Sequence, residues 1–97
     1  MGQRQGIAPA QMSVNFTRRA LRDLANIRTY IADDNPRAAS RMAVELIAAC
    51  DRLEHFPERG RPGLRRGTRE LTTVWPYVIV YSVVRTNIDI LSIWHGA

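Results

Sequence analysis

The sequence predicts an α+β domain of order β-α-α-β-β-β, with a helical hairpin packed on a small antiparallel sheet. Three observations predict it. Apolar residues recur at three- and four-residue spacing between about Thr17 and His55, the period of helices that bury one face. From Thr68 onward the chain turns rich in Thr, Val, Ile and Tyr, the composition of strands. The links inside each half are short, so the two helices should lie antiparallel and the last three strands should form consecutive hairpins.

Taken in order, "SVNF" (Ser13–Phe16) alternates polar and apolar and predicts a short strand. Thr17 can cap the first helix, whose apolar face is Ala20, Leu24, Ile27 and Ile31, with Leu21 beside them. Arg18, Arg19, Arg22, Asp23 and Arg28 fall mostly off that face, and "DDNP" (Asp33–Pro36) ends the helix. Asn35 and Pro36 supply an N-cap and a first-turn proline for the second helix. Its stripe is Ala39, Met42, Ala43, Leu46, Ile47, Cys50 and Leu53, running to about His55 and stopped by Pro57. "TRELTTV" (Thr68–Val74) then predicts a strand, "YVIVYSVV" (Tyr77–Val84) a central strand, and "NIDILSIWH" (Asn87–His95) a third.

Composition narrows the function. The chain of 97 residues supports one core, with residues 1–12 expected as a flexible polar N-terminal extension and a single domain over 13–97. No apolar run is long enough for a membrane span, and the N-terminus lacks an apolar signal core. One cysteine, Cys50, excludes an internal disulfide, which fits a cytoplasmic location. Cys50 sits in the apolar stripe and reads as a buried small hydrophobe. Cys50, His55 and His95 lack paired metal-ligand spacing, so neither metal nor other cofactor is expected. The net charge is +5 and every cation apart from histidine is arginine, which favours a phosphate or carboxylate partner and excludes lysine chemistry.

The densest charge lies in "PERGRPGLRRGTREL" (Pro57–Leu71), which holds Arg59, Arg61, Arg65, Arg66 and Arg69. Gly60, Gly63 and Gly67 let this connector turn, while Pro57 and Pro62 stiffen it. The five arginines are either a solvated basic loop or a site for phosphates or the carboxylates of an acidic partner. His55 reads as a favourable charge at a helix end. Trp75, Trp94, Tyr77 and Tyr81 read as core or interface rather than base-stacking groups. Glu45, Glu54 and Glu70 have no spacing that suggests paired-carboxylate catalysis.

The element order, together with "FPERGRPG", "GTREL", "PYVIVYSV" and "IDILSIWHGA", resembles the RelE/ParE superfamily, the toxins of type II toxin–antitoxin systems. The resemblance spans about Ser13 to Ala97 and is specific for the superfamily rather than for a branch; the ParE branch is the preferred reading. The resemblance implies two functions. ParE-like members poison DNA gyrase without a nuclease site of their own, and this is the expected function here. RelE-like members cut mRNA in the ribosomal A site, which is the alternative. An inactive antitoxin-binding module is a third. In every case the resemblance implies a cognate acidic antitoxin whose flexible half wraps the toxin. Were the chain a nuclease, His95 at the end of the last strand would be its acid or base. Arg69, Arg85 and Tyr81 would supply cations and a hydroxyl. The lysines common in RelE-like nucleases are missing. In the ParE branch the helical hairpin faces the target, and Arg18, Arg19, Arg22 and Arg37 are its candidate contacts.

Overall fold

The computed structural model describes residues 12–96. The expected extension therefore lies outside the described residues over 1–11, while Met12 packs against the core. The elements are β1 (Ser13–Phe16), α1 (Arg18–Ala32), α2 (Pro36–Asp51), a 3-10 turn (Arg52–Glu54), β2 (Arg61–Pro62), β3 (Thr68–Leu71), β4 (Tyr77–Val84) and β5 (Asn87–His95). They form a helical hairpin on a five-stranded sheet of order β1-β5-β4-β3-β2.

From β3 to β5 the sheet is the expected antiparallel meander, and β2 extends it by a further antiparallel pair. β1 adds a parallel edge, with Ser13 opposite Asn87 and Phe16 opposite Ile90. Short links dictate antiparallel pairing only between consecutive strands. β1 reaches the sheet through two helices, a connection long enough for a parallel pair. The two-residue strand β2 arises inside the connector that was expected to be a loop. β3 stops at Leu71, short of the expected Val74, and the Trp75–Pro76 peptide that leads into β4 is cis.

Both helix starts follow from their caps. The Thr17 side chain accepts from the Ala20 amide at 3.1 Å, and Asn35 accepts from the Ala38 amide at 3.1 Å ahead of Pro36. Thr17 also donates to the Leu91 carbonyl at 3.1 Å, which ties the start of α1 to β5. Nearby, an Asp23 carboxylate oxygen accepts the Ile93 amide at 3.0 Å. The helical face of the sheet presents Tyr77, Ile79 and Tyr81 on β4 and Ile88, Ile90 and Ile93 on β5. These last three share a face only because Leu91 is an extra residue at a bulge, where pairing steps from Val80–Ser92 to Tyr81–Ile90. Against them pack Ala20, Leu46, Ala49, Cys50 and Leu53. Each fully buried Leu or Ile contributes roughly 1.5–3 kcal/mol.

Two stripe residues depart from expectation. Leu21 is 53% exposed and Ile47 39%, while Ala49 takes the buried place on α2. The contact face of α2 is centred on Ala39, Ala43, Leu46 and Cys50, which leaves Ile47 on its flank. Helix α2 also gives way to the 3-10 turn after Asp51, before the expected end at His55. Among the described residues no helix is long and apolar enough to cross a membrane, and no group of three or more His, Cys, Asp or Glu side chains is placed to hold a metal ion.

Cys50 is buried as the stripe implied, and burial, aided by Asp51, pushes its thiol up to about 12 from 9.0. The native thiol should therefore be inert to a disulfide reagent at pH 8 and react fully on unfolding. Above pH 9 the unfolded chain loses this proton while the native chain keeps it. Stability should then fall as pH rises from 9 toward 12, with a slope from this group of at most about 1.4 kcal/mol per pH unit. Urea unfolding of Cys50→Ala across that range should show the slope reduced by that share.

Candidate functional site

The connector between the helices and β3 is held by a small set of buried groups. The Tyr81 hydroxyl accepts from the Gly60 amide at 2.8 Å and donates to the Pro57 carbonyl at 2.8 Å. Arg69, directly opposite Tyr81 on β3, donates through Nη1 to the Gly60 carbonyl at 2.7 Å and the Glu58 carbonyl at 3.3 Å. A Cβ on Gly60 would stand 2.8 Å from the Tyr81 ring and 2.9 Å from the Glu70 carbonyl oxygen, so only glycine passes here. Burial raises the Tyr81 hydroxyl above its usual range; the Gly60 amide and Arg69 oppose that, and Glu58 adds to it. The phenol thus stays protonated and keeps donating to Pro57.

On the opposite face of the sheet, Arg61 of β2 meets Glu70 of β3. Its Nε and Nη2 both contact Oε1, at 3.1 and 3.0 Å, and the Glu70 side chain is only 10% exposed. The connector then turns back at Arg65–Thr68. Thr68 donates to the Arg65 carbonyl from its amide at 3.1 Å and its hydroxyl at 2.6 Å. Gly67 at φ 82° supplies the left-handed residue of this turn, the one place in the connector where positive φ is required.

The five arginines accordingly divide. Arg61 and Arg69, expected as anion hooks, have their guanidinium groups engaged within the fold. Arg59, Arg65 and Arg66 are exposed, with no side-chain hydrogen bond or ion pair among the described residues. Helix arginines 18, 22 and 37 are exposed as well, and Arg19 reaches Asp23 at 3.7 Å.

The four residues considered for RNA cleavage are not brought together. Arg69 and Tyr81 are neighbours, but both are occupied by the connector. His95 lies opposite Tyr77, edge-on to its ring at 5.5 Å, four residues along β4 from Tyr81. Arg85 lies four residues the other way, in the β4–β5 turn at φ 57°. At about 3.4 Å per residue each is roughly 14 Å from Tyr81 along the strand, in opposite directions.

The helices leave the second face of the sheet uncovered. Leu64, Val80, Leu91 and Trp94 line a groove there, with Arg19 and Arg65 also on its walls and Glu70 and Ser92 among its polar groups. Leu64 is 97% exposed and Trp94 43%. Sequence reasoning missed the part played by Glu70. The signal was available: reading "RPGLRRGTRE" as a hairpin about its Gly-containing turn pairs Arg61 with Glu70.

Tyr81→Phe strands the buried Gly60 amide and removes the donor to the part-buried Pro57 carbonyl, so it should cost about 1–3 kcal/mol in urea unfolding. Gly60→Ala should cost more, because backbone as well as ring must move.

Comparison with known proteins places this architecture. The family model of the ParE toxin of type II toxin–antitoxin system, parDE, matches residues 14–97. Toxin RelE2 of Caulobacter vibrioides is 49% identical over 85 residues, covering 87% of this chain and 94% of that toxin. The structure titled as the chromosomal ParDE TA system from P. aeruginosa superposes with a TM-score of 0.79 at 28% identity, over 90% of this chain and 98% of that one. The toxin–antitoxin complex RelBE2 from Mycobacterium tuberculosis gives a TM-score of 0.61 at 28% identity, over 89% and 99%. With its helical hairpin, mixed sheet and arginine-rich connector, the chain belongs to the ParE toxin family of the RelE/ParE superfamily and is a toxin of a type II toxin–antitoxin system.

Proposed function

We propose that the chain arrests growth by binding DNA gyrase, without a catalytic site of its own, and that a small acidic antitoxin silences it. The observation that carries the gyrase reading is the scatter of the groups RNA cleavage needs. Proton transfer and phosphorane stabilisation require a base, an acid and cations within hydrogen-bond reach of one phosphate. Here the phenol and one cation are committed to the connector, and the imidazole and the other cation sit toward opposite ends of the hairpin. A binding toxin needs no such convergence. The match to a ParE family model favours the same branch.

The antitoxin reading is supported by the two similar structures, one of a ParDE system and the other of a toxin–antitoxin complex. It is also supported by the uncovered apolar groove with cations at its walls. Exposed Arg59, Arg65 and Arg66 are the connector's candidate contacts to antitoxin carboxylates. Ribosome-dependent mRNA cleavage is the second reading, favoured by the name of the 49%-identical relative, Toxin RelE2.

Purified chain should inhibit gyrase supercoiling or trap cleaved DNA, and leave mRNA on translating ribosomes intact. Robust A-site cleavage with gyrase unaffected would sink the gyrase reading. Growth arrest should persist in His95→Ala, whereas loss of a general acid or base would lower a catalytic rate about 10²–10⁴-fold. Replacing Arg59, Arg65 and Arg66 together by Ser should keep the urea midpoint and weaken antitoxin binding about tenfold at low salt, less at high salt.

A further inference from the structure

The turn between β4 and β5 holds a residue that such a turn does not favour. Val84 pairs with Asn87, so only Arg85 and Thr86 make the reversal. The common two-residue hairpin turns need positive φ at their first central position, where glycine, Asn or Asp is preferred. Arg85 stands there at φ 57°, the only described residue other than glycine with positive φ. A side chain crowds its own backbone in that region, a cost that glycine does not have. The turn is also held from outside, because the Thr86 carbonyl accepts the Ser13 amide at 2.7 Å at the start of β1. Nothing in the fold offsets the strain. Arg85 is exposed, and its guanidinium makes no hydrogen bond or ion pair among the described residues.

Arg85 does not stand alone. Thr68 lies opposite Ser82, so the turn over 64–67 in the neighbouring hairpin reverses at the same end of the sheet, about 5 Å to the side. β4 runs on to Val84 before it turns. This end presents Arg66 and Arg85, both exposed, next to Arg65 on the groove wall. Glu58, which lines the cleft beside Gly67, and the half-buried Asp89 form an ion pair with none of them. Two aliphatic side chains accompany the cations: Val84 is 58% exposed and Leu64 97%. We propose that this end of the sheet is a contact surface for an acidic, aliphatic segment of the antitoxin, and that Arg85 holds its strained place in the turn for that contact. The proposal rests on the antitoxin reading above. A segment that leaves the groove past Arg65 runs onto this end. Its carboxylates meet Arg65, Arg66 and Arg85, and its aliphatic side chains cover Leu64 and Val84. A nucleic-acid backbone would satisfy the cations but leave those two side chains in water. Glycine at this position would serve the hairpin better and the antitoxin worse.

The test compares stability and affinity in Arg85→Gly, Arg85→Asn and Arg85→Lys of the full chain. The binding probe is the tightest acidic peptide selected on the native chain from a phage-displayed library of 15-residue peptides. Arg85→Gly should raise the urea midpoint by roughly 0.5 M. It should also weaken the peptide about threefold at low salt, the scale of one exposed ion pair. Arg85→Asn, which tolerates positive φ, should weaken it equally. Arg85→Lys should keep the native midpoint and most of the affinity. Stability and affinity moving in opposite directions is a result that a purely structural role does not give. A midpoint that does not rise in Arg85→Gly would show that glycine is no better in this turn and overturn the proposal. Unchanged affinity in both Arg85→Gly and Arg85→Asn would overturn the role of Arg85 and leave the antitoxin reading standing. A 20-base-pair DNA duplex whose binding falls in Arg85→Gly while that of the peptide does not would assign this end to nucleic acid instead. Failure to enrich acidic peptides at all would overturn the antitoxin reading, and the proposal with it.

Discussion

A single phenol, that of Tyr81, joins the connector to the sheet, and the placement of the basic surface depends on it. Its ring is fully buried in the core and its hydroxyl bridges Pro57 and Gly60 at the connector's start. One side chain is therefore both a hydrophobic anchor and a hydrogen-bonding tether, which fixes the connector's entry to the sheet. Arg69 repeats the attachment from the neighbouring strand through two carbonyls. With the entry fixed, the short strand β2 pairs with β3, Arg61 reaches Glu70, and the Gly67 turn presents Arg65 and Arg66 to solvent. Loss of the phenol would release these positions together rather than one at a time.

The arginines show how a uniform composition can serve distinct physical roles. A guanidinium with five donors is as suited to backbone carbonyls as to carboxylates or phosphates. Arg69 spends its donors on the connector backbone and Arg61 on a nearly buried carboxylate. The remaining connector arginines keep their hydration and their availability. The loop is thus stiffened by two of its own cations while it displays the other three.

Much of this fold was legible in the chain, and the failures have local causes. β4 and β5 were readable to the residue because β-branched runs bounded by turn residues are strong signals, and both helix starts because Thr17 and Asn35 are cap residues followed by helical periodicity. The parallel pairing of β1 was not readable, since a four-residue strand says nothing of which distant edge it will join. The bulge at Leu91 is visible only once Ile88, Ile90 and Ile93 are required to share a face. At the candidate site, the connector was recognised as a concentrated charge, but its division was hidden. Whether an arginine meets solvent or a carbonyl is decided by pairings across the sheet, such as Arg69 with Tyr81, that no local pattern encodes. Tyr81 itself was weighed for its hydroxyl without its use as a tether being foreseen.

Beyond Ile90, β5 has no strand on its outer side. An open strand edge is a template onto which another chain can add, and repeated addition builds fibres. In this chain the start of α1 lies against that edge instead. Thr17 takes the Leu91 carbonyl and Asp23 takes the Ile93 amide. An incoming strand would have to displace a helix cap and a carboxylate at once, and the extra residue at Leu91 breaks the spacing it would need to match. The longest strand of the sheet, nine residues and mostly apolar on one face, is in this way a poor seed for self-propagating assembly, so a newly made toxin molecule is guarded on that flank even before any partner reaches it.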